Sequence, residues 1–539
     1  MNLLVRNARI WTGDVKHPEA KDVLIEDGRI TAIGGSEVAA TAPAGTPELD
    51  AAGRRVTPGF IDSHNHLRLG SGEGAVQLAG AKSIDEIRAR IAAWLDENHD
   101  ATWVHGEGFD YAAIPEGRHP RADDLDGATR GLPTMLLDYS VHAAWFNREA
   151  LAALGADAQS PTAPFGTYEV DDATGELTGY LANFATAGIS RAGQAALERV
   201  VPAYSRDAQY ARVRSALAMA ARYGLTTVVE PQNSVDDIEL FERARAEGVL
   251  HSRVVAALFH PSGTSESEID ELEHVIASRS SDRITLGPIK LYIDDIVEPH
   301  TAAMIEPYAN RPDTSGRTYY EPREFGEVIA RLDARGLQCF VHATGDRGIR
   351  VALDAFEYAR QVNGPRDSRH QIVHVECLDA ADIPRFAELG VVACMQPRHC
   401  APEIVEEWRD NVGDTRWRYA WPMSSLAESG ATLAFSSDWN VAEMNPMIGI
   451  YTAVTRASLD GTQSWIPQEC ISVEQALRAY TAGSAFANFV DTDRGVLAVG
   501  MLGDLVVLSD DILAAEPEAI RDTRVDVTVV GGQLVWDTR

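Results

Sequence analysis

Two histidines separated by one residue close the apolar run PGFIDSHNHL (58–67). Side chains two apart on a strand share a face, so His64 and His66 can aim both imidazoles at one cation. The placement recurs along the chain. His342 ends LQCFVHATGD, His374 follows the apolar start of RHQIVHVEC, and ATLAFSSDWN delivers Asp438. A lone strand-end histidine is an ordinary structural residue. Four histidines, an aspartate and one unusual lysine at the ends of five strands point instead to a shared metal centre.

The lysine is Lys290 in GPIKLYIDD (287–295), one of four in 539 residues. Lys16, Lys21 and Lys82 lie in polar surroundings, whereas Lys290 sits inside a strand-like apolar run. Burial disfavours an ammonium and lowers its pKa. A neutral amine can then add CO2 and become a carbamate, an anion able to bridge two cations. Pairing with Asp294 or Asp295, or a Schiff-base role, stays open from the residues alone.

Positioning these groups takes a set of parallel strands. Apolar runs at 57–63, 226–230, 253–258, 288–293, 338–342, 371–375, 391–395 and 432–437 alternate with amphipathic stretches such as 205–224 and 321–336. Eight such units predict an α/β fold, a closed (β/α)8 TIM-like barrel whose strand C-termini carry the site. An open doubly wound sheet competes, but no GxGxxG turn opens any unit. Alternating segments near both termini, with turns at Asp27-Gly28 and Gly531-Gly532, predict a small β-sandwich built from both ends. About 160 residues between the first two strands are too many for a connection, so an inserted subdomain beside the barrel mouth is expected. The predicted division is 1–56 with 490–539, 57–74 with 205–489, and 75–204.

Composition narrows the function. Hydrophobic residues make up 45% and charged residues 24%, as in a globular chain. Lysine plus arginine total 48 against 80 acidic residues, a formal charge of −32. That charge repels polyphosphate and argues against nucleic acid or an anionic membrane as partner. Five cysteines without a CxxC pair argue against a disulfide framework or a thiolate zinc site. No signal-peptide core or membrane-length apolar run is evident, so a cytoplasmic enzyme acting on a small molecule is expected, with a homodimer left open.

The stretches PGFIDSHNHL, IKLYIDD, VHATGDRG, VHVE and SSDWNVAEMNP, in that order, resemble the amidohydrolase superfamily. The similarity is to its amidohydrolase-3 branch, which includes N-substituted formamide deformylase and YtcJ-like proteins. The terminal pieces DVLIEDGRITAIG and GVLAVGMLGDLVVLSDD resemble that family's split β-sandwich. The resemblance implies that His64, His66 and Asp438 hold one metal, and that His342 and His374 hold a second, with carbamylated Lys290 bridging. One departure stands out: Asp294-Asp295 replaces the branch's usual Asp-Gly.

Nitrogen and oxygen donors suit zinc best, with manganese, iron or nickel as alternatives. One or two ions would activate water and polarise a carbonyl, with Asp438 moving the proton. Hydrolysis of a C–N amide-type bond follows, such as that of an apolar or aromatic N-substituted amide or formamide. A cyclic amide or imide hydrolase or a deaminase is the alternative, and a non-catalytic metal or ligand-binding protein is a weaker one. Trp103, Phe109 and Tyr111 in TWVHGEGFDYAAIP, and His142 and Trp145 in SVHAAWFN, match a region that lines the site in relatives. His142 is the candidate to hydrogen-bond a developing oxyanion. Arg347, Arg398 and His399 are further candidates for substrate contact.

Overall fold

The computed structural model describes every residue except 71, 73, 116, 117 and 189. Eight strands form one sheet in sequence order: β1 (Phe60–Asp62), β2 (Leu225–Asn233), β3 (Arg253–Phe259), β4 (Ile284–Tyr292), β5 (Cys339–Ala343), β6 (Gln371–His374), β7 (Val392–Met395) and β8 (Leu433–Phe435). Neighbours in this sheet pair in parallel, and β2 and β3 are buried along their whole length. Both faces are covered, which explains why the strands read as continuous apolar runs rather than alternating ones.

The barrel closes between its first and last strands through backbone bonds. Ser63 N donates to Phe435 O at 3.1 Å, Asp438 N to His64 O at 2.8 Å, and His66 N to Trp439 O at 2.6 Å. The seam is made by the segments that carry the histidine pair and the aspartate, so closure and site assembly are one event.

The expected first strand, 57–63, divides in two. Thr57 pairs with Val506 in a sheet of terminal strands, while Phe60 pairs with Leu225 in the barrel. Gly59 makes the transfer. A Cβ there would lie 2.2 Å from the Thr226 side chain, so only glycine fits.

Strands from both ends of the chain build two further sheets. One has six strands, ordered Gln533–Asp537, Val525–Val530, Leu505–Leu508, Arg55–Pro58, Arg9–Trp11 and Glu19–Ala20; the other has four, Arg29–Gly34, Asp22–Glu26, Leu3–Arg6 and Glu48–Asp50. Leu3, Val5, Ile25, Leu49, Val56, Val507 and Val527 share one apolar core. The Asp27-Gly28 turn has φ of 48° and 83°, and Gly531-Gly532 has 57° and 75°. Both are two-residue hairpin loops with positive φ at each centre, which matches the twist of the flanking strands.

The chain divides into two compact units, Met1–His66 with Leu217–Pro231 and Phe241–Arg539, and Leu67–Ala216 with Gln232–Leu240. The second has its own seven-stranded sheet, ordered Thr162–Ala163, Gly166–Val170, Leu177–Ala182, Ala144–Phe146, Thr134–Asp138, Val104–Phe109 and Val76–Gln77. Among the described residues no helix is long and apolar enough to cross a membrane.

Candidate metal centre

The ends of β1 and β8 bring three donor side chains to one point. Asp438 Oδ1 lies 3.1 Å from His64 Nε2 and 3.2 Å from His66 Nε2. Despite those distances, Asp438 Oδ1 has no hydrogen-bond partner, and neither has the buried His64 Nδ1. His64 is 1% exposed. Buried polar atoms are normally paired, so Asp438 Oδ1 and His64 Nδ1 left without hydrogen bonds beside further donors match a cation-binding set. Asp438 has φ of 57°, a conformation rare outside glycine and concentrated at functional sites.

Electrostatics agree with that grouping. Burial, then the nearby Lys290 charge, lowers His64 to about 3, which leaves the imidazole neutral and able to donate a lone pair. Burial pushes Asp438 up, but His64, His66 and His374 outweigh it and hold the carboxyl well below its usual range.

The seam is stapled by Asp62, which the motif reading did not single out. Its oxygens accept from Ser437 Oγ at 2.6 Å, Asn65 Nδ2 at 2.9 Å, Ser437 N at 3.0 Å and His64 N at 3.3 Å. Burial raises its carboxyl to about 6, against these donors. The signal for it was an acidic residue inside an apolar strand, two positions before His64.

Lys290 is fully buried at 0% exposure, and its Nζ has no hydrogen-bond partner among the described residues. The Nζ sits 4.7 Å from the centre of the Tyr292 ring and 5.2 Å from that of Phe340. Burial lowers its pKa to about 7, opposed by Asp438. Asp294 is not its partner. The Asp294 carboxylate accepts from Gly345 N at 2.9 Å, Ala303 N at 3.0 Å and Thr344 N at 3.1 Å. It thus staples the turn after β5, and a Cβ at Gly348 would fall 2.3 Å from its Oδ2. The aspartate and glycines of the 294–348 region therefore share one packing cause.

His342 and His374 lie close, with ring centres 4.4 Å apart, but they are committed differently. His342 stacks on Tyr292 and donates Nε2–H to Asp295 O at 3.2 Å. His342 lies outside both groups of three candidate ligand atoms, although its ring sits beside that of His374. His374 groups instead with Glu376 and His399, their donor atoms lying within 4.8 Å of one another. Glu376 was not anticipated, although VHVE repeats the one-residue spacing of HNH. His399 reaches the first cluster too, its Nε2 being 3.8 Å from Asp438 Oδ2.

Two arginines are already occupied. Arg398 bonds Glu443 at 2.8 Å and Glu403 at 2.7 Å, and Arg347 donates to the carbonyls of Ser315 and Gly316. In the second unit, Phe109 and Trp145 are both fully buried, edge to face at 5.6 Å, and fill a core with Ile87 and Leu136. Their rings are spent on packing. Tyr111 is half-buried with its hydroxyl 3.2 Å from that of Tyr180, and Trp103 packs on the neighbouring apolar cluster. His142 is half-buried between Thr134–Asp138 and Ala144–Phe146, and its carbonyl accepts from Phe184 N.

The profile of the amidohydrolase family matches residues 48–536. Protein LONG AFTER FAR-RED 3 of Arabidopsis thaliana is 30% identical, covering 99% of this chain and 91% of its own. N-substituted formamide deformylase of Arthrobacter pascens is 26% identical, covering 99% and 98%. Among solved structures, an uncharacterised metal-dependent hydrolase from Pyrococcus horikoshii shares the fold, with a TM-score of 0.74 at 24% identity over 96% of this chain and 99% of that one. A profile match over most of the length, with His64, His66 and Asp438 in one cluster, identifies the chain as a hydrolytic enzyme that belongs to the amidohydrolase family, in its amidohydrolase-3 branch.

Proposed function

We propose that the chain is a metal-dependent hydrolase that cleaves a C–N amide-type bond, such as that of an N-substituted amide or formamide. The observation that carries this is the convergence of His64, His66 and Asp438, with Asp438 Oδ1 and His64 Nδ1 buried and without a hydrogen-bond partner. The residues fit a divalent cation, with zinc as the proposed ion for this nitrogen and oxygen set. When bound, such an ion supplies Lewis-acid polarisation of a carbonyl and a more acidic water.

The side chains then have distinct tasks. His64, kept neutral, and His66 would hold the ion from the end of one strand. Asp438, kept ionised, takes a proton from water and passes it to the leaving nitrogen. Asp62 positions the segments carrying all three. Lys290 Nζ, with its lone pair available near neutrality, attacks the carbon of CO2; a C–N bond forms, a proton leaves to solvent, and a carbamate anion results. What supports the carbamate is the full burial and missing partner of Nζ, beside His64, His374 and Asp438. The formamide preference draws on the similarity to the Arthrobacter pascens deformylase. For His142 at an oxyanion, support is sequence resemblance alone.

The test loads purified protein with zinc and isotope-labelled bicarbonate, then measures bound metal, a lysine carbamate signal and amine release from N-substituted formamides and amides. At least one equivalent of zinc with amine release is expected. Absence of any stoichiometric ion overturns the proposal.

A further inference from the structure

At the opposite end of β6 from His374, the fold leaves an open cavity of about 270 Å3. It is framed by the loop that enters β6, the helix Asp346–Asn363 and the end of the helix Ile383–Leu389. Part of its wall is rigid. His370, 4% exposed, accepts from Cys339 N through Nδ1 at 3.0 Å, so its proton sits on Nε2. Nε2–H donates to Asp333 Oδ1 at 3.1 Å, and the ring stacks on Phe356 with centres 4.7 Å apart.

The polar groups of the lining divide into spent and free. Asp333 is spent: Arg366 Nε reaches Oδ1 at 2.5 Å, and Asn363 Nδ2 reaches Oδ2 at 2.8 Å. Arg366 gives Nη2–H to Leu337 O and Arg360 gives Nη1–H to Glu388 O, which fixes both guanidinium groups. Arg366 Nη1, Arg360 Nη2 and Ser368 Oγ remain as donors with no hydrogen-bond partner among the described residues. Of the lining carboxylates, Glu388 is uncommitted, and it is exposed. Phe356, Ala359, Ala387 and Leu389 supply an apolar surface beside these groups. Pockets that take small molecules combine such a surface with a few placed polar groups.

We propose that this cavity binds a small monocarboxylate with an apolar body, at a site separate from the metal centre. Arg360 and Arg366 give their free N–H groups to the carboxylate, and Ser368 adds a hydroxyl. The apolar surface takes the hydrocarbon part. With Arg366 paired to Asp333, the charges left are Arg360 and Glu388, which leave no surplus for a phosphate dianion. Glu388 also offers an acceptor to an ammonium, so an amino acid and a plain carboxylic acid both carry this chemistry. The volume suits a body of about one ring, not a nucleotide.

Full-length protein, as purified and again after chelation, is titrated calorimetrically with 3-phenylpropanoate, L-phenylalanine, 3-phenylpropanamide and inorganic phosphate. At least one of the two carboxylates should saturate a single site that persists after chelation, and the tighter of the two names the source. The amide and phosphate should bind at least about tenfold more weakly. Arg360→Ala should weaken carboxylate binding at least about tenfold, and Ala387→Leu, which fills the cavity, should abolish it. Both variants should keep the metal content of wild type. Thermal melts check folding, and if one variant fails to fold the other decides the matter. No saturable carboxylate binding overturns the inference, as does binding that neither variant weakens or that the amide or phosphate equals. Binding lost on chelation places the ligand on the metal and overturns it too. None of these outcomes touches the hydrolase proposal, which stands or falls on bound metal.

Discussion

The first cluster is braced on every side and the second on one. His64, His66 and Asp438 stand on segments joined by three backbone bonds, with Asp62 tying Ser437, Asn65 and His64 together beneath them. Glu376 has the Trp408 indole, and His374 stands at φ of 80° just where β6 stops. A further buried aspartate, Asp294, staples the turn after β5 through three backbone N–H groups without touching a ligand. The barrel thus spends one buried carboxylate on holding donors in place and another on holding a loop. Pre-organisation differs accordingly, with the donors of the first cluster held in place before any ion arrives.

The largest effect should come from Asp438→Asn, which removes the group shared by both clusters. Turnover of a hydrolysable formamide should fall by about 10³-fold or more while the melting temperature changes little; a kcat near wild type would remove Asp438 from the chemistry. Next, Asp62→Ala deprives Ser437, Asn65 and His64 of their acceptor and should cost about 3 kcal/mol in denaturant unfolding, with weakened metal retention. Loss of stability without loss of metal affinity would mean that the brace serves the fold alone.

Metal removal is a milder perturbation. Stripped protein should regain about 2.7 kcal/mol when free zinc reaches one hundred times the dissociation constant. An unchanged melting temperature would contradict binding to the folded state. The smallest effect is one of slope. Burial raises the Asp294 carboxyl from 3.8 to about 7, so its ionisation opposes folding. The stability it contributes is full below its unfolded value and is lost as pH rises through about 7. Asp294→Asn should flatten the pH dependence of unfolding across that window. An identical slope in the variant would show that another group carries it.

Much of this was legible in the residues. Strands buried on both faces leave continuous apolar runs, and two-residue turns with positive φ leave Asp-Gly and Gly-Gly. His64, His66, His374 and Asp438 were visible because strand ends expose polar groups in fixed places. Glu376 was not, since an acidic residue after a strand looks like any solvated one until Trp408 and His399 are seen against it. Nor was the partner of His342 visible, because the Asp295 carbonyl that takes its Nε2–H comes from the end of another strand. The handover at Gly59 was hidden because one apolar run serves two sheets.

The sequence by itself determined the barrel, the terminal sheets and which side chains carry ligating atoms, because those follow from local period and residue chemistry. Tertiary structure alone decided which donors meet, how Asp438 divides its oxygens and which carboxylates act as staples. Hydrogen-bond partners in this site come from segments hundreds of positions apart, and distances between them exist only once the strands have closed.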